Sequence, residues 1–219
     1  MISSPLPPAA GAAGGAIRYT SPVPPRLILA SASPRRLDLL RDAGYAPVVV
    51  PADVDETPDP ASSPRANAAR FARDKAERVA AAHPEDVVLG ADTVVTIAGQ
   101  LLGKPKGRAD AERMLRLLAG TVHHVVTCVH LPALPDWPAT SLCVDTAVVF
   151  RALDDDDLAA YLAGGEWEGK AGGYAIQGRA AAFAEAVVGS YTNVVGLPLC
   201  EVVEELRARG LRPSRGATP

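Results

Sequence analysis

The chain has 219 residues, of which 48% are hydrophobic and 21% charged, and its formal net charge is −3. This length suits one large domain or two small lobes with a sizeable core, and the composition is ordinary for a globular protein. The negative balance argues against a protein that is held to nucleic acid mainly by bulk charge. Proline and glycine interrupt the uncharged stretches, so we expect no membrane span.

The two ends of the chain and its cysteines indicate how the protein is organised and where it is located. Residues 1–25 are rich in proline, alanine and glycine and lack the features of a signal peptide, so they predict a disordered extension. A single domain is expected over 26–210, followed by a frayed tail at 211–219. The widely spaced cysteines contain no CxxC pair, which fits free thiols in a reducing cytoplasm. They are Cys128, Cys143 and Cys200.

Predicted strands and helices alternate along the chain. In order they are a strand at 26–30, a helix at 34–44, a strand at 47–51, a helix at 66–82, two apolar runs broken by GAD within 86–99, a helix at 109–120, strands at 121–131 and 140–153, a helix at 154–165, an apolar run at 183–189 and a last helix within 194–210. The proline-rich turn at 132–138 predicts a hairpin. The pattern therefore predicts an α/β fold with a mixed sheet and flanking helices, in one domain or two lobes around a cleft.

The stretch SASPRR joins the first strand to the first helix. Such a turn offers free backbone N–H groups and the positive end of a helix dipole to an anion. Ser31 and Ser33 add hydroxyl donors, and Arg35 and Arg36 add guanidinium groups that suit phosphate. From these residues alone, a capped helix with two solvated arginines is the commoner explanation.

Four further charged residues are candidates for chemistry. Asp92, in VLGADTVV, is expected at a strand end, where it would hold a metal or orient a water unless it only caps a turn. Lys104, in the tight LGKPKG turn, can reach a phosphate, although turn lysines are more often solvated and the Walker pattern is incomplete. Glu56 and Lys75 are unremarkable alone, since loop acids and helix lysines are usually solvated.

The segment KAGGYAIQG places a glutamine within an apolar run after two glycines. Gln177 offers both a donor and an acceptor, as the edge of a nucleobase requires, and the glycines let the backbone approach a ligand. A bulged strand or hairpin explains the same pattern. The adjacent His123 and His124 lie in a strand and point to opposite faces, so a zinc site there is not expected.

Eight short blocks occur in a fixed order over about 27–209: LILASASPRRLDLL, VDET, DKA, VLGADTVV, LGKP, AERMLRLLAG with HHVVT, KAGGYAIQG and VVGLPL. Each is weak alone, but together they resemble the Maf family of nucleoside triphosphate pyrophosphatases. The resemblance implies an α/β fold with two lobes around a cleft, as in inosine triphosphate pyrophosphatases. It also implies a hydrolase dependent on Mg²⁺ or Mn²⁺ that converts a nucleoside triphosphate to the monophosphate and pyrophosphate.

The resemblance assigns roles to individual residues. Asp92 falls on the family's proton acceptor, and Glu56, Lys75 and Lys104 fall on its other catalytic positions. From their charges, Glu56 and Asp92 are expected to hold the metal, and Arg36 to neutralise phosphate charge. The family's specificity positions fall on Arg35, Thr93 and Gln177.

The specificity blocks SPRR, GADT and YAIQG are similar to those of the family branch that acts on dTTP and UTP. We also expect modified pyrimidine nucleotides among the substrates. The family often has Asp-Lys before AGGY, whereas this chain has Gly169 and Lys170, so Glu168 or Glu166 would have to substitute. A homodimer is implied by the resemblance alone. The alternative is a non-catalytic nucleotide-binding regulator of cell division with the same cleft, although the presence of both Asp92 and Glu56 favours an enzyme.

Overall fold

The computed structural model describes residues 25–214, so nearly all of the predicted extension at 1–25 and the last five residues of the predicted tail lie outside the described part. The strands are β1 (Leu27–Leu29), β2 (Val48–Val49), β3 (Val87–Ile97), β4 (Gln100–Leu102), β5 (Val122–Leu131), β6 (Thr140–Phe150) and β7 (Ala184–Val188). The helices are α1 (Pro34–Asp42), α2 (Pro64–Ala80), α3 (Arg108–Leu118), α4 (Asp155–Ala163), α5 (Tyr191–Val195) and α6 (Leu199–Ala208).

The strands form one mixed sheet in the order β2-β1-β3-β5-β6-β7, with β4 paired to the end of β3. β1 pairs in parallel with β2 and β3, because α1 and α2 carry the chain back across the sheet. β3, β5, β6 and β7 are antiparallel neighbours, and β5 and β6 form the predicted hairpin. The predicted α/β fold with a mixed sheet and flanking helices is confirmed.

β3 is one continuous strand, so the predicted break at GAD is wrong. Gly90 is part of the strand, and a Cβ there would lie 2.3 Å from the backbone oxygen of Ala72 and 2.7 Å from the Cβ of Ala76. The glycine therefore allows α2 to pack closely on the sheet instead of making a turn. Asp92 consequently lies within the strand and not at its end.

The cleft opens where β3 loses its parallel neighbour. β1 ends at Leu29, which is paired with Leu89, and the chain turns there into α1. From Gly90 onward, β3 keeps only its antiparallel partner β5 on the main path of the sheet. The sheet is thus divided into a parallel and an antiparallel part, with Asp92 and Thr93 at the junction.

The two faces of the sheet are covered differently. The small side chains of α2, including Ala68, Ala72 and Ala76, pack on one face. The larger core on the other face joins α1, α3, α4 and α6 around residues such as Leu115 and Phe150. At the chain end, the backbone N–H of Ser214 donates to the oxygen of Gly44, which fixes residues 211–214 against the end of α1.

The cysteine prediction requires correction. Cys128 and Cys143 form a disulfide, and Cys200 is free and exposed. The two bonded residues are direct partners in the β5–β6 register, with Cα atoms 4.0 Å apart, so the hairpin brings together residues that are 15 positions apart in sequence. Among residues 25–214, no helix is both long and apolar enough to cross a membrane.

Candidate active site

A cleft with a volume of about 420 Å³ lies at the junction in the sheet. This volume is within the usual range for small-molecule sites. Its walls come from the β1–α1 turn, the loop before α2, β3, the turn after β4, the loop after α4 and the end of α5. All ten site residues predicted from the sequence line it: Ser31, Ser33, Arg35, Arg36, Glu56, Lys75, Asp92, Thr93, Lys104 and Gln177.

Lys75 joins two carboxylates at the centre of the cleft. Its Nζ lies 2.7 Å from Oδ1 of Asp92 and 3.1 Å from Oε1 of Glu56. The side chains of Lys75 and Asp92 are 9% and 12% exposed, whereas that of Glu56 is 45% exposed. The close packing of α2 on β3 buries the lysine beside the aspartate, and the loop before α2 brings the glutamate from the solvent side.

Burial sets the electrostatics of Asp92. Desolvation raises the pKa of its carboxyl above the ordinary value, while the ammonium of Lys75 and then the guanidinium of Arg36 oppose this shift. A carboxylate with a raised pKa is a better proton acceptor than a solvated one. The arrangement therefore suits removal of a proton from a water molecule in the cleft.

The adjacent arginines of SASPRR have different surroundings. Arg36 is 8% exposed and donates to three protein oxygens: Nε to Gly196 O at 2.8 Å, Nη1 to Ser31 Oγ at 3.0 Å and Nη2 to Thr93 Oγ1 at 3.0 Å. It therefore joins three segments of the cleft wall, and its role in binding phosphate stays a prediction. Arg35 is only partly buried, and the one hydrogen bond described for it runs from Nε to Val195 O.

The first turn of α1 keeps donors for an anion. Ser33 is the N-cap, but its side chain makes no capping bond within the described structure, and Pro34 takes the first helical position. The hydroxyl of Ser31 accepts hydrogen bonds from the backbone N–H of Ser33 and from Arg36. Pro34, Arg35 and Arg36 of this first turn line the cleft, so the start of α1 stands where an anion site at a helix N-terminus would be.

Thr93 belongs to a buried hydrogen-bond network that the sequence analysis missed. Its hydroxyl lies 2.9 Å from that of Thr127, which donates to Asn193 O. The Asn193 amide donates to Val125 O and to the hydroxyl of Thr146. The network fixes α5 and its following loop against β5 and β6. The asparagine in the stretch SYTNVVGLPL is the one sequence signal of this network.

Lys170 is a second residue that the sequence analysis did not single out. It lines the cleft, and burial, followed by the charge of Arg35, lowers the pKa of its amine. The available sequence signal was the position of this lysine at the start of the KAGGYAIQG segment. In the same loop, Gly172 N–H donates to Gly103 O, which links the loop to the turn that carries Lys104.

The structure distinguishes the two acids in the loop before KAGGY. Of the two acids that could replace the family's aspartate, Glu168 lines the cleft, whereas Glu166 does not.

His123 is buried with its Nε2 2.8 Å from the Tyr174 hydroxyl, and His124 pairs with Asp145 in solvent. The predicted opposite orientation of the two histidines is confirmed.

The donor set of the cleft fits a hard divalent cation. Mg²⁺ is commonly bound by one or two carboxylates together with water and substrate phosphates. Asp92 and Glu56 supply two carboxylates that already converge on one cationic group. Within residues 25–214 there is no cluster of three or more acids, histidines and cysteines that would form an all-protein site. The remaining ligands would therefore have to come from phosphate and water.

Comparisons with known proteins agree with this geometry. The model of the Maf-like protein family matches residues 26–209. The chain is 48% identical over 198 residues to a dTTP/UTP pyrophosphatase of Gluconobacter oxydans, an alignment that covers 88% of this chain and 91% of the relative. It is 50% identical over 190 residues to a protein of the same name from Caulobacter vibrioides, with coverages of 86% and 98%. It is also 50% identical over 188 residues to the dTTP/UTP pyrophosphatase of Geobacter sulfurreducens, with coverages of 84% and 97%.

Proposed function

The chain belongs to the Maf-like protein family, and on this premise we propose that it hydrolyses dTTP and UTP to the nucleoside monophosphate and pyrophosphate. The observation that carries the proposal is the convergence of Asp92, Lys75 and Glu56 in a cleft with cationic walls. A buried proton acceptor beside an anion site has the composition that attack of water on a phosphate requires. The names of the relatives support the choice of substrates.

Asp92 is the proton acceptor in the proposed reaction. Lys75 holds its carboxylate ionised and oriented, because the ammonium opposes the rise in pKa that burial causes. The carboxylate takes a proton from the attacking water, which adds to the α-phosphorus, and the bond from that phosphorus to the bridging oxygen of pyrophosphate breaks. Mg²⁺ or Mn²⁺, held by Asp92 and Glu56, would polarise the phosphoryl group.

Cationic groups and N–H donors stabilise the triphosphate and its transition state. Arg35 and Lys104 line the cleft and are proposed to contact phosphate oxygens, together with Ser33 and the first turn of α1. Arg36 also lines the cleft, where it adds positive charge while it holds Ser31 and Thr93 in place. Donors that are fixed before substrate binds are the most effective, because they need no reorganisation during the reaction.

Gln177, Arg35 and Thr93 are proposed to select the nucleotide. Gln177 is exposed to the cleft, and its amide offers a donor and an acceptor, which matches the alternating polar groups on the edge of uracil and thymine. The same groups persist in pyrimidines modified at carbon 5, so such nucleotides are included in the proposed substrates. We also propose a cytoplasmic location, where nucleoside triphosphates are supplied, and a homodimer.

The decisive experiment incubates the purified full chain with Mg²⁺ or Mn²⁺ and a panel of purine, pyrimidine and modified pyrimidine triphosphates. We expect pyrophosphate release, fastest with dTTP and UTP. Release of orthophosphate would overturn the proposed reaction, and a purine preference would overturn only the substrate choice. Tight nucleotide binding without turnover in either metal would instead support a non-catalytic regulator.

A further inference from the structure

We infer that Glu166 is a positioning residue for nucleotide selection, because its carboxylate holds the turn that presents Gln177 to the cleft. This inference rests on the proposed function and deepens it by naming a residue outside the cleft that controls which base is accepted. Glu166 lies in the same loop as Gly169, the position at which the family often has an aspartate.

The turn has a defined geometry. Gly178 N–H donates to Ala175 O at 3.0 Å, so 175–178 is a β-turn with Gln177 at its third position. Ile176, at the second position, is buried, whereas Gln177 is exposed. The side chain of Gln177 makes no hydrogen bond described in the structure, so the backbone of the turn determines where its amide lies.

Glu166 holds the end of this turn. Its Oε2 accepts a hydrogen bond from the backbone N–H of Arg179 at 2.8 Å. A charged acceptor makes such a bond stronger than a neutral one. Glu166 lies in the loop after α4 and outside the cleft lining, so it acts on substrate only through the turn.

Gly178 shows how closely the carboxylate approaches the turn. A Cβ added at Gly178 would lie 1.9 Å from Oε2 of Glu166. The φ of Gly178 is −108°, outside the left-handed region that favours glycine, so the feature that marks this position is the neighbouring carboxylate. An alanine there would displace the Glu166 carboxylate while leaving residue 166 unchanged.

The beginning of the turn is held from the same side. The hydroxyl of Tyr161, on α4, accepts a hydrogen bond from Ala175 N–H at 3.0 Å. The end of α4 and its following loop thus fix both ends of the turn, and the cleft face is left to Gln177. Of the two acids near Gly169, Glu166 supports the selecting turn and Glu168 lines the cleft.

The test compares four variants of the full chain: Glu166→Ala, Gly178→Ala, Glu166→Gln and the control Glu185→Ala. Glu166→Ala removes the acceptor and Gly178→Ala displaces it, whereas Glu166→Gln keeps an acceptor oxygen. Glu185 is an exposed glutamate on β7, away from the cleft. The measurements are kcat and KM for dTTP and for a purine triphosphate, and hydrogen exchange of the amides at 174–180.

We expect Glu166→Ala and Gly178→Ala to lose about tenfold in the preference for dTTP over the purine nucleotide, mainly through a higher KM for dTTP, since the groups around Asp92 are untouched. Amide exchange at Arg179 should become faster in both. Glu185→Ala should retain the wild-type preference and exchange, and Glu166→Gln, which keeps a neutral acceptor, should lie closer to wild type than Glu166→Ala in both measurements.

Failure of this inference and failure of the proposed function would give different experimental results. If wild-type protein releases no pyrophosphate from dTTP, the proposed function fails, and hydrogen exchange alone still tests whether Glu166 holds the turn. If wild-type protein is active and Glu166→Ala keeps its preference, the inference is overturned while the function stands. Unchanged exchange at Arg179 in both alanine variants would also overturn it.

Discussion

Two buried cations, Lys75 in the cleft and Arg209 at the end of α6, show different uses of a buried charge. Arg209 is 2% exposed and binds Glu205 one helical turn away at 2.5 Å, as well as Pro138 O and the Thr140 hydroxyl. Lys75 instead meets carboxylates from β3 and from a loop, beside open space.

Burial of an ion pair does not by itself identify a functional site. The Arg209 pair is balanced, with one cation and one carboxylate, and it joins α6 to the start of β6. The Lys75 cluster has two carboxylates for one ammonium, and its groups come from three separate elements that converge on a cleft. The second carboxylate leaves this cluster able to hold a metal cation, and the cationic side chains elsewhere in the cleft wall suit a phosphate substrate.

The largest effect should come from Asp92→Asn, which tests whether chemistry belongs to the cleft cluster. The amide keeps the size of the side chain but cannot accept a proton, so we expect kcat to fall by about 10²–10⁴-fold. The thermal midpoint should change little. Asp145→Asn, on the exposed face of β6, is the control and should retain wild-type kcat. Near-normal turnover of Asp92→Asn would remove Asp92 from its assigned role.

The next comparison replaces each buried cation by methionine. Arg209→Met leaves Glu205 and the oxygens of Pro138 and Thr140 without their donor, so we expect a loss of about 3 kcal/mol in the free energy of unfolding. The folded fraction should retain wild-type kcat. Lys75→Met should cost less stability, because Asp92 can become neutral by protonation, but it should abolish turnover at neutral pH.

Urea unfolding and initial rates measured on the same samples check this pair of variants. The comparison fails if Arg209→Met loses turnover while folded. It fails equally if Lys75→Met remains active, since the ammonium would then not be needed to keep Asp92 ionised.

The adjacent arginines repeat the comparison on a smaller scale. Arg36→Lys cannot span Ser31, Thr93 and Gly196 with one ammonium, so we expect a loss of about 2 kcal/mol in the free energy of unfolding. Arg35→Lys should leave stability within about 0.5 kcal/mol of wild type and raise KM for dTTP. Urea unfolding and steady-state kinetics distinguish them, and equal stability of the two variants would contradict the division.

Much of the fold was predictable because it depends on local signals. Pro34 marked the start of α1, the two long apolar strands gave the β5–β6 hairpin, and the acidic run at 154–157 gave the start of α4. The predicted break in β3 was wrong because Gly90 looked like a turn residue. A glycine is needed at this position because α2 packs closely there, and no local sequence pattern reveals such a tertiary contact.

The candidate site was predictable as a set of residues but not as an arrangement. All ten predicted residues line one cleft, yet nothing in SPRR distinguishes the enclosed Arg36 from the more open Arg35. Their difference depends on Gly196, which is 160 positions away in sequence. The Cys128–Cys143 bond was missed for the same reason, since it follows from the register of two strands.

His123 extends the comparison to a buried group that is neutral. Burial, with a smaller contribution from His124, lowers its pKa from 6.5 to about 4. The unfolded chain therefore binds a proton at this residue before the folded protein does, and protonation favours unfolding between these two pH values. We expect the free energy of unfolding to fall by up to about 1.4 kcal/mol for each pH unit as pH decreases through this window.

The variant His123→Phe removes the titrating group and keeps an aromatic ring between Phe150 and Tyr174. Its free energy of unfolding, measured in urea from pH 7 to pH 5, should depend less steeply on pH than that of wild type. Equal slopes would show that His123 titrates alike in the folded and unfolded chain. A shallower slope would show that this buried nitrogen is kept neutral, whereas Lys75 and Arg209 are buried with carboxylate partners.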